Sequence, residues 1–477
     1  MTDIDMSETL EIVGSWFLPD TPARRVAGTF SLKPERIELE LADSLRPLQS
    51  GPIRAEVVRY PVVHGITRKQ EAVSLFQCTR ARYSLTFASG GIGQPETLWS
   101  HLAVVGGWLT EQQVYPELRC RIPGLQVWLS PQVIHAIKDE EGYAFRVKNV
   151  PTETFAIPSI DAELDFELTA VGSPGHSKAT IVASAWLNIR PREPRPLNWF
   201  LDQLSTATSL LAFLAEEPMP PDRIELKVEQ RGVTLSLLVP RPSVKYCDHG
   251  NQHDFFVSRA RLGDGLGPIL ANWFELFQRV QLPIDLALST MASDDLWLHV
   301  RFLSLLQALE GLHRALFPGN YMEPDQYEPV KEVLVKAIPS NLHTDHRAAL
   351  KSRIRYGNEI SLAKRLKRLA EVLPVTLRTR ILGSNDVPRS WVDTRNYYTH
   401  WDEALRSDIL SGQAMYDACA RLTIFLRTLY LHKIGISSDA LEAALGGLSG
   451  GAQHLAQLNS AAQGPLTYGT VQAAPEP

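Results

Sequence analysis

The hydrophobic period changes once along this chain, and that change limits what it can fold into. From Gly14 to about Arg190, apolar and polar residues alternate in short runs broken by Gly and Pro: RVAGTFSL, RIELELA, RYSLTFA, QVWLS, YAFRV, DFELTAV and ATIVASAWLNI. Alternation at period two marks half-buried antiparallel strands. From about Asp294 the period is helical. In DLWLHVRFLSLLQALEGLHRALF, Leu298, Phe302, Leu305, Leu306, Leu309, Leu312 and Leu316 fall on one apolar stripe. The pattern predicts a multidomain α+β protein: a β-rich front region, sandwich or barrel-like, followed by an all-α helical bundle. Sequence does not choose between sandwich and barrel.

Four segments are expected. Residues 1–190 are β-rich, and PREPRP at 191–196 breaks the pattern. Residues 191–285 mix helices (LNWFLDQLSTATSLLAFLAEE, GPILANWFELFQRV) with strands (RIELKVE, VTLSLLV) and read as a continuation of the first segment. Residues 294–445 form the helical domain, whose last long helix, MYDACARLTIFLRTLYLHKIGI, packs on its first. Residues 446–477 turn to Gly, Ala, Ser and Gln and are expected to be a loose tail. At 477 residues the chain exceeds one ordinary core.

Composition narrows the partners. Net charge is −5 and the pI about 6.2, so no global basic field draws nucleic acid, and RNA must be met by a local patch. The four cysteines, Cys78, Cys120, Cys247 and Cys419, are scattered, as in a reducing compartment rather than a disulfide framework. The start, MTDIDMSETLEIVG, lacks a signal-peptide layout. No run reaches the about 20 apolar residues that span a bilayer. A soluble cytoplasmic protein without membrane contact is expected.

The chemistry concentrates in SWVDTRNYYTHWDEAL, which holds Arg395, Asn396 and His400. Histidine, with an unperturbed pKa of about 6.5, both takes and gives a proton near neutrality. Arginine stays charged and offers a planar fork of donors to phosphate. A proton shuttle beside a phosphate clamp is the minimum for metal-free RNA cleavage. The ribose 2′-hydroxyl attacks the adjacent phosphate, His400 moves protons and Arg395 stabilises the charge that builds on the phosphorane. Asn396 can hold the ring or a phosphate oxygen. Positions five apart on a regular helix diverge by about 140°. Either the helix starts inside the motif, with Asp393 or Thr394 as N-cap, or a second protomer completes the site. An isolated Arg-x-x-x-x-His also occurs by chance, mostly as surface residues.

Other candidates are weaker. Glu310 and His313 are neighbours on one helix surface and, with Tyr398, can line a cleft, though a solvated face is the commoner meaning for the first two. Arg353, Arg355, Lys364, Arg365, Lys367 and Arg368 lie in the densest basic stretch. Such charge usually marks a solvated face, and an RNA-backbone track is the rival. Trp391, Tyr397, Tyr398 and Trp401 surround the motif; aromatics stack on splayed bases, but core or interface packing is the expectation here. Cys247, His249 and His253 have zinc-like spacing without a second pair, so a polar loop is expected and no metal or other cofactor is assigned. HLAVVGGWLTE lacks the phosphate-loop pattern and reads as a Gly-Gly turn.

Arg395-Asn396-x-x-x-His400 resembles the motif of HEPN ribonucleases. GSWFLPD with GTFSL and IELEL, VVHGITRKQEAVSLFQC and the ALEGLHR helix are similar to the ApeA family of bacterial anti-phage proteins. That resemblance covers most of the chain. It implies a front region that senses or restrains and a HEPN unit that pairs into a homodimer and cuts RNA. It also implies abortive infection set off by a phage-derived trigger, with transfer RNA as a reasonable target class. A non-catalytic HEPN dimerisation or nucleotide-binding module is the alternative. A carbohydrate- or peptide-binding β-domain fused to a helical oligomerisation unit is a third.

Overall fold

A computed structural model describes residues 6, 8–33, 35–46, 57–88, 91–130, 132–140, 142–173, 175–176, 178–229, 233–240 and 251–462. The chain divides into two compact units, Met1–Phe274 and Glu275–Pro477.

Six strands of the first unit close a barrel: β1 (Leu10–Phe17), β2 (Val26–Lys33), β3 (Arg36–Leu41), β4 (Arg59–Thr67), β5 (Ala72–Tyr83) and β6 (Glu96–Ser100). Antiparallel pairing runs β4-β1-β2-β3-β6-β5 and returns to β4. The alternation seen in sequence sets the inside. Ile37, Leu39 and Leu41 of β3 are buried while Arg36 and Glu40 face outward. The barrel answers the choice between sandwich and barrel.

β5 is long enough to serve two sheets. Its Thr79–Tyr83 end pairs with β6, and Val73–Phe76 pairs with β7 (Leu102–Val105) on the same side. An open sheet continues from β7 through five further strands and ends on a sixth. With β8 (Glu117–Arg121), β9 (Glu153–Ile157), β10 (Ala162–Ser173), β11 (Thr180–Pro191), β12 (Arg223–Lys227) and β13 (Thr234–Leu238), its order is β5-β7-β13-β12-β8-β11-β10-β9. The strands expected within 191–285 therefore hydrogen-bond into the sheet of the front region. Helix α1 (Leu197–Ala215) is buried along most of its length, through Phe200, Leu204, Leu210 and Phe213 among others.

QVWLS departs from expectation. It lies in a short helix, Leu125–Leu129, not a strand. Gly124 adopts φ 83 before it, and Leu125 and Trp128 are buried three apart, a helical rather than alternate spacing. Gly106, at φ 112, opens the Gly-Gly turn after β7.

Helix α2 (Leu266–Ala292) crosses the division between the units. Its backbone leaves helical geometry at Val280, three residues before Pro283, whose ring and missing N–H disturb the preceding turn. In the second unit α3 (Leu298–Leu316) packs on the long helix Gly412–Lys433. Phe302, Leu305, Leu306, Leu309 and Leu312 supply the buried stripe of α3. The following elements are α4 (Pro324–Lys336), α5 (Thr344–Arg355), α6 (Leu362–Val372), α7 (Val375–Leu382), α8 (Arg389–His400), α9 (the same Gly412–Lys433) and α10 (Ser438–Leu445). The basic stretch is two helices, because the chain turns at Tyr356–Ser361, where buried Asn358 bonds Met322 in both directions at 3.0 and 2.8 Å.

The expected loose tail contains α11 (Gly450–Ala462), which buries Ala452 and Leu455 and packs on α9. Small residues let it approach closely, and Asn459 donates to the Arg380 carbonyl at 2.9 Å. Residues 463–477 of that tail lie outside the described residues. No helix among the described residues is long and apolar enough to cross a membrane.

Candidate ribonuclease site

Helix α8 carries the whole motif. It starts at Arg389 behind Pro388, and Arg389 pairs with Asp393 at 3.0 Å, one turn on. The expectation that the helix begins inside the motif is therefore wrong. Asp393 is in mid-helix, and buried Thr394 accepts the Leu410 amide at 2.8 Å instead of capping. Arg395 and His400 sit on one regular helix and point about 140° apart.

The two ends of the motif have different surroundings. Arg395 is largely covered. Its Nη2 donates to Glu310 Oε2 on α3 at 3.3 Å, and its Nη1 donates to Asn396 Oδ1 at 3.3 Å. His400 is the last helical residue, exposed and without a polar partner among the described residues. Trp401 follows at φ 52, ψ 42, in the left-handed region, and is 67 % exposed. A bulky residue there is strained by about 1–3 kcal/mol.

Glu310 is shared. Its Oε1 accepts from Arg314 Nε and Nη2 at 3.1 and 3.0 Å, while Oε2 takes Arg395. Arg314 also reaches Glu359 at 3.2 Å, and Glu359 meets Arg365 at 3.5 Å. Arg365 is 1 % exposed and donates from Nη1 to His313 Nδ1 at 3.3 Å. Gly319 makes room: a Cβ there would sit 3.3 Å from the guanidinium. Arg314, Arg365 and Arg395 thus share the two carboxylates of Glu310 and Glu359, and the charge of Arg368 also acts on His313.

A solvated face for Glu310 and His313 is corrected, since both are buried. Burial, then the charges of Arg365, Arg368 and Arg314, hold His313 down at about 4, against an opposing pull from Glu310. Neutral His313 accepts at Nδ1, so Nε2 carries the proton, buried and without a hydrogen-bond partner among the described residues. The folded value lies below the unfolded value of about 6.5. The stability this group contributes is complete above about pH 6.5 and is lost as pH falls through about 4. Thermal melts at these two pH values should show a smaller difference in His313→Asn than in wild type; equal differences would sink this account.

The six basic candidates separate. Arg353, Arg355 and Lys367 are exposed. Lys364 is half-buried with its Nζ 4.2 Å from the Tyr321 ring centre, and Arg368 donates to the Pro318 carbonyl at 2.8 Å. Arg365 is corrected from surface contact to buried tie, because its apolar neighbours on α6, Leu366 and Leu369, draw that face inward. Trp391 and Tyr397 are buried as packing, but Tyr398 and Trp401 are not. His253 is exposed; Cys247 and His249 lie outside the described residues.

Sequence reasoning missed Arg314, Glu359 and His299. The four-residue step from Glu310 to Arg314 was a readable signal. His299, whose ring stacks on Tyr398 at 5.5 Å and 16°, and Glu359 become visible only in three dimensions.

An all-helical unit with this motif fits the HEPN class, and residues 303–440 match the model of the Apea-like HEPN domain. Residues 11–273, more than half of the chain, match ApeA N-terminal domain 1. The chain belongs to the ApeA-like family, with its HEPN domain at the C-terminal side. Membership supports a role in anti-phage defence, and HEPN domains are commonly ribonucleases that dimerise and bind RNA. No curated protein matches this chain.

Proposed function

We propose that the protein is an endoribonuclease of anti-phage defence that cuts RNA without a metal ion and so aborts infection. The carrying observation is the contrast along α8. Arg395 is fixed by Glu310 while His400 stands exposed at the helix end. A fixed arginine stabilises a phosphorane without reorganising. A free histidine takes the 2′-hydroxyl proton or returns one to the departing 5′ oxygen. The products are a 2′,3′-cyclic phosphate and a 5′-hydroxyl. Because the two side chains diverge, a second copy facing the first completes the cleft, which makes the working unit a two-fold homodimer. Exposed Arg353, Arg355 and Lys367 fit backbone contacts that position RNA without reading it. Transfer RNA is the proposed target class. In this reading the β-rich unit senses a phage-derived trigger and restrains the HEPN unit in the cytoplasm until infection.

The test compares wild type with His400→Ala in phage-challenged cells and maps RNA fragment ends. Fragments with 5′-hydroxyl ends in wild type alone are expected. Identical RNA from both, with protection intact in the variant, would end the catalytic reading. The rival non-catalytic module draws on the same Arg395–Glu310 pair, since a guanidinium facing a carboxylate has part of its charge offset.

Glu310 positions Arg395 in this mechanism. Glu310→Gln is expected to lower kcat by about 10²-fold, the penalty typical of a small misplacement, while RNA affinity changes little. Glu310→Asp should recover part of the rate. A fall in affinity with kcat unchanged would contradict the positioning role.

A further inference from the structure

We infer that Trp297, His299, Tyr398 and Trp401 form a stacking surface for an unpaired RNA base beside the phosphate held at Arg395. The inference rests on the ribonuclease reading and names its substrate class, single-stranded or looped RNA. The four rings are contiguous. Trp297 meets His299 edge-on at 6.0 Å, His299 lies parallel on Tyr398 at 5.5 Å, and Tyr398 meets Trp401 at 6.4 Å. The two tryptophans at the ends are 76 % and 67 % exposed, far more than packing in a core leaves them.

Three observations favour a nucleobase as the occupant. Tyr398 is three residues from Arg395, hence one turn away on a neighbouring face, about 5–6 Å between Cβ atoms. That separation suits a base whose own phosphate is at the arginine. Arg395, one turn from Tyr398, is a fixed cation that complements the phosphate joined to such a base. Trp401 is held in left-handed backbone directly after His400, which carries its indole off the helix end at the reacting group. Strain of this kind gathers where geometry serves function. Every base has a π-face, so stacking tolerates sequence, whereas a base inside a duplex has both faces occupied.

The experiment uses the full chain carrying His400→Ala, to stop turnover, and a short single-stranded oligoribonucleotide with its duplex as control. Adding Trp401→Ala or Trp297→Ala should weaken single-strand binding by about 5- to 150-fold. Trp401→Phe should recover most of the loss, and duplex binding should hardly move. Both tryptophans are exposed, so the variants should fold. Unchanged single-strand affinity in both alanine variants overturns the proposal. Weaker self-association with unchanged RNA affinity also overturns it and assigns the surface to a second copy of the chain. Wild type that binds single strands through these rings yet cuts no RNA would remove the ribonuclease reading alone. Binding undisturbed by both substitutions, with cleavage also undisturbed when they are made beside an intact His400, would remove this inference alone.

Discussion

Replacing His400 by alanine is expected to slow RNA cleavage by about 10²–10⁴-fold, the range of general acid–base catalysis. The fold should not notice. His400 is exposed at the last position of α8 and has no polar partner among the described residues, so stability should stay within about 0.5 kcal/mol. Initial rates on end-labelled RNA and a thermal melt of the same preparation measure both halves of the claim. Cleavage at the wild-type rate would show that the proton is moved by another group. Arg395→Ala makes a useful contrast. It too should cut activity, but it leaves Glu310 facing Arg314 alone and frees the Asn396 side chain, so a modest shift in melting should accompany it. Arg395→Lys should not restore the rate, because an ammonium lacks the planar fork.

The largest effect on stability is expected at Trp16→Ala, a loss of about 3–5 kcal/mol in the β-rich unit. Trp16 is fully buried inside the barrel, and its Nε1 donates to the Gly28 carbonyl at 3.1 Å. Its ring lies directly over Gly65 of β4, where an added Cβ would fall 2.4 Å from two ring carbons. Tryptophan and glycine are thus paired across β1 and β4 by register, Trp16 opposite Gly65. Removing the ring opens a cavity that neither strand can collapse to fill, since both are fixed in a closed barrel. Filling the glycine instead, with Gly65→Val, forces the ring out and should also destabilise, by about 1–3 kcal/mol or more. With two compact units a single transition is not assumed. Denaturant melts followed by circular dichroism should move the β-rich transition and leave the helical one. No shift in that transition would refute the packing account.

What could be read from sequence follows from the range of the forces involved. β3 announced itself because one face is buried and one is wet, which writes the alternation directly into RIELEL. α3 did so by its stripe. Closure of the barrel was not legible, because it depends on β5 pairing with β6 beyond a register shift between Arg80 and Arg82. QVWLS misled because five apolar-rich residues fit either period, and Gly124 decided the matter through a positive φ. At the site, Arg395 and His400 were readable by residue type and spacing. Their partners were not: Glu310 was one helix away, and the ties through Glu359 and Arg365 join segments about 50 residues apart. The burial of Arg365 runs against its chemistry and is explained only by its position on α6.

β5 gives the large sheet an unusual boundary. An ordinary open sheet ends in two strands with unpaired backbone groups, and each invites another chain to add itself. Here one end of the row curls back and is consumed by the barrel, so among the described residues the thirteen strands terminate only at β9. That remaining rim is screened by what lies against it. Arg259 grips Glu153 with bonds of 2.7 and 2.8 Å, and Gly267 stands close to the Phe155 ring. Among the described residues the large sheet therefore offers neighbouring copies one outer strand rather than two, and side chains of the same unit already lie against it.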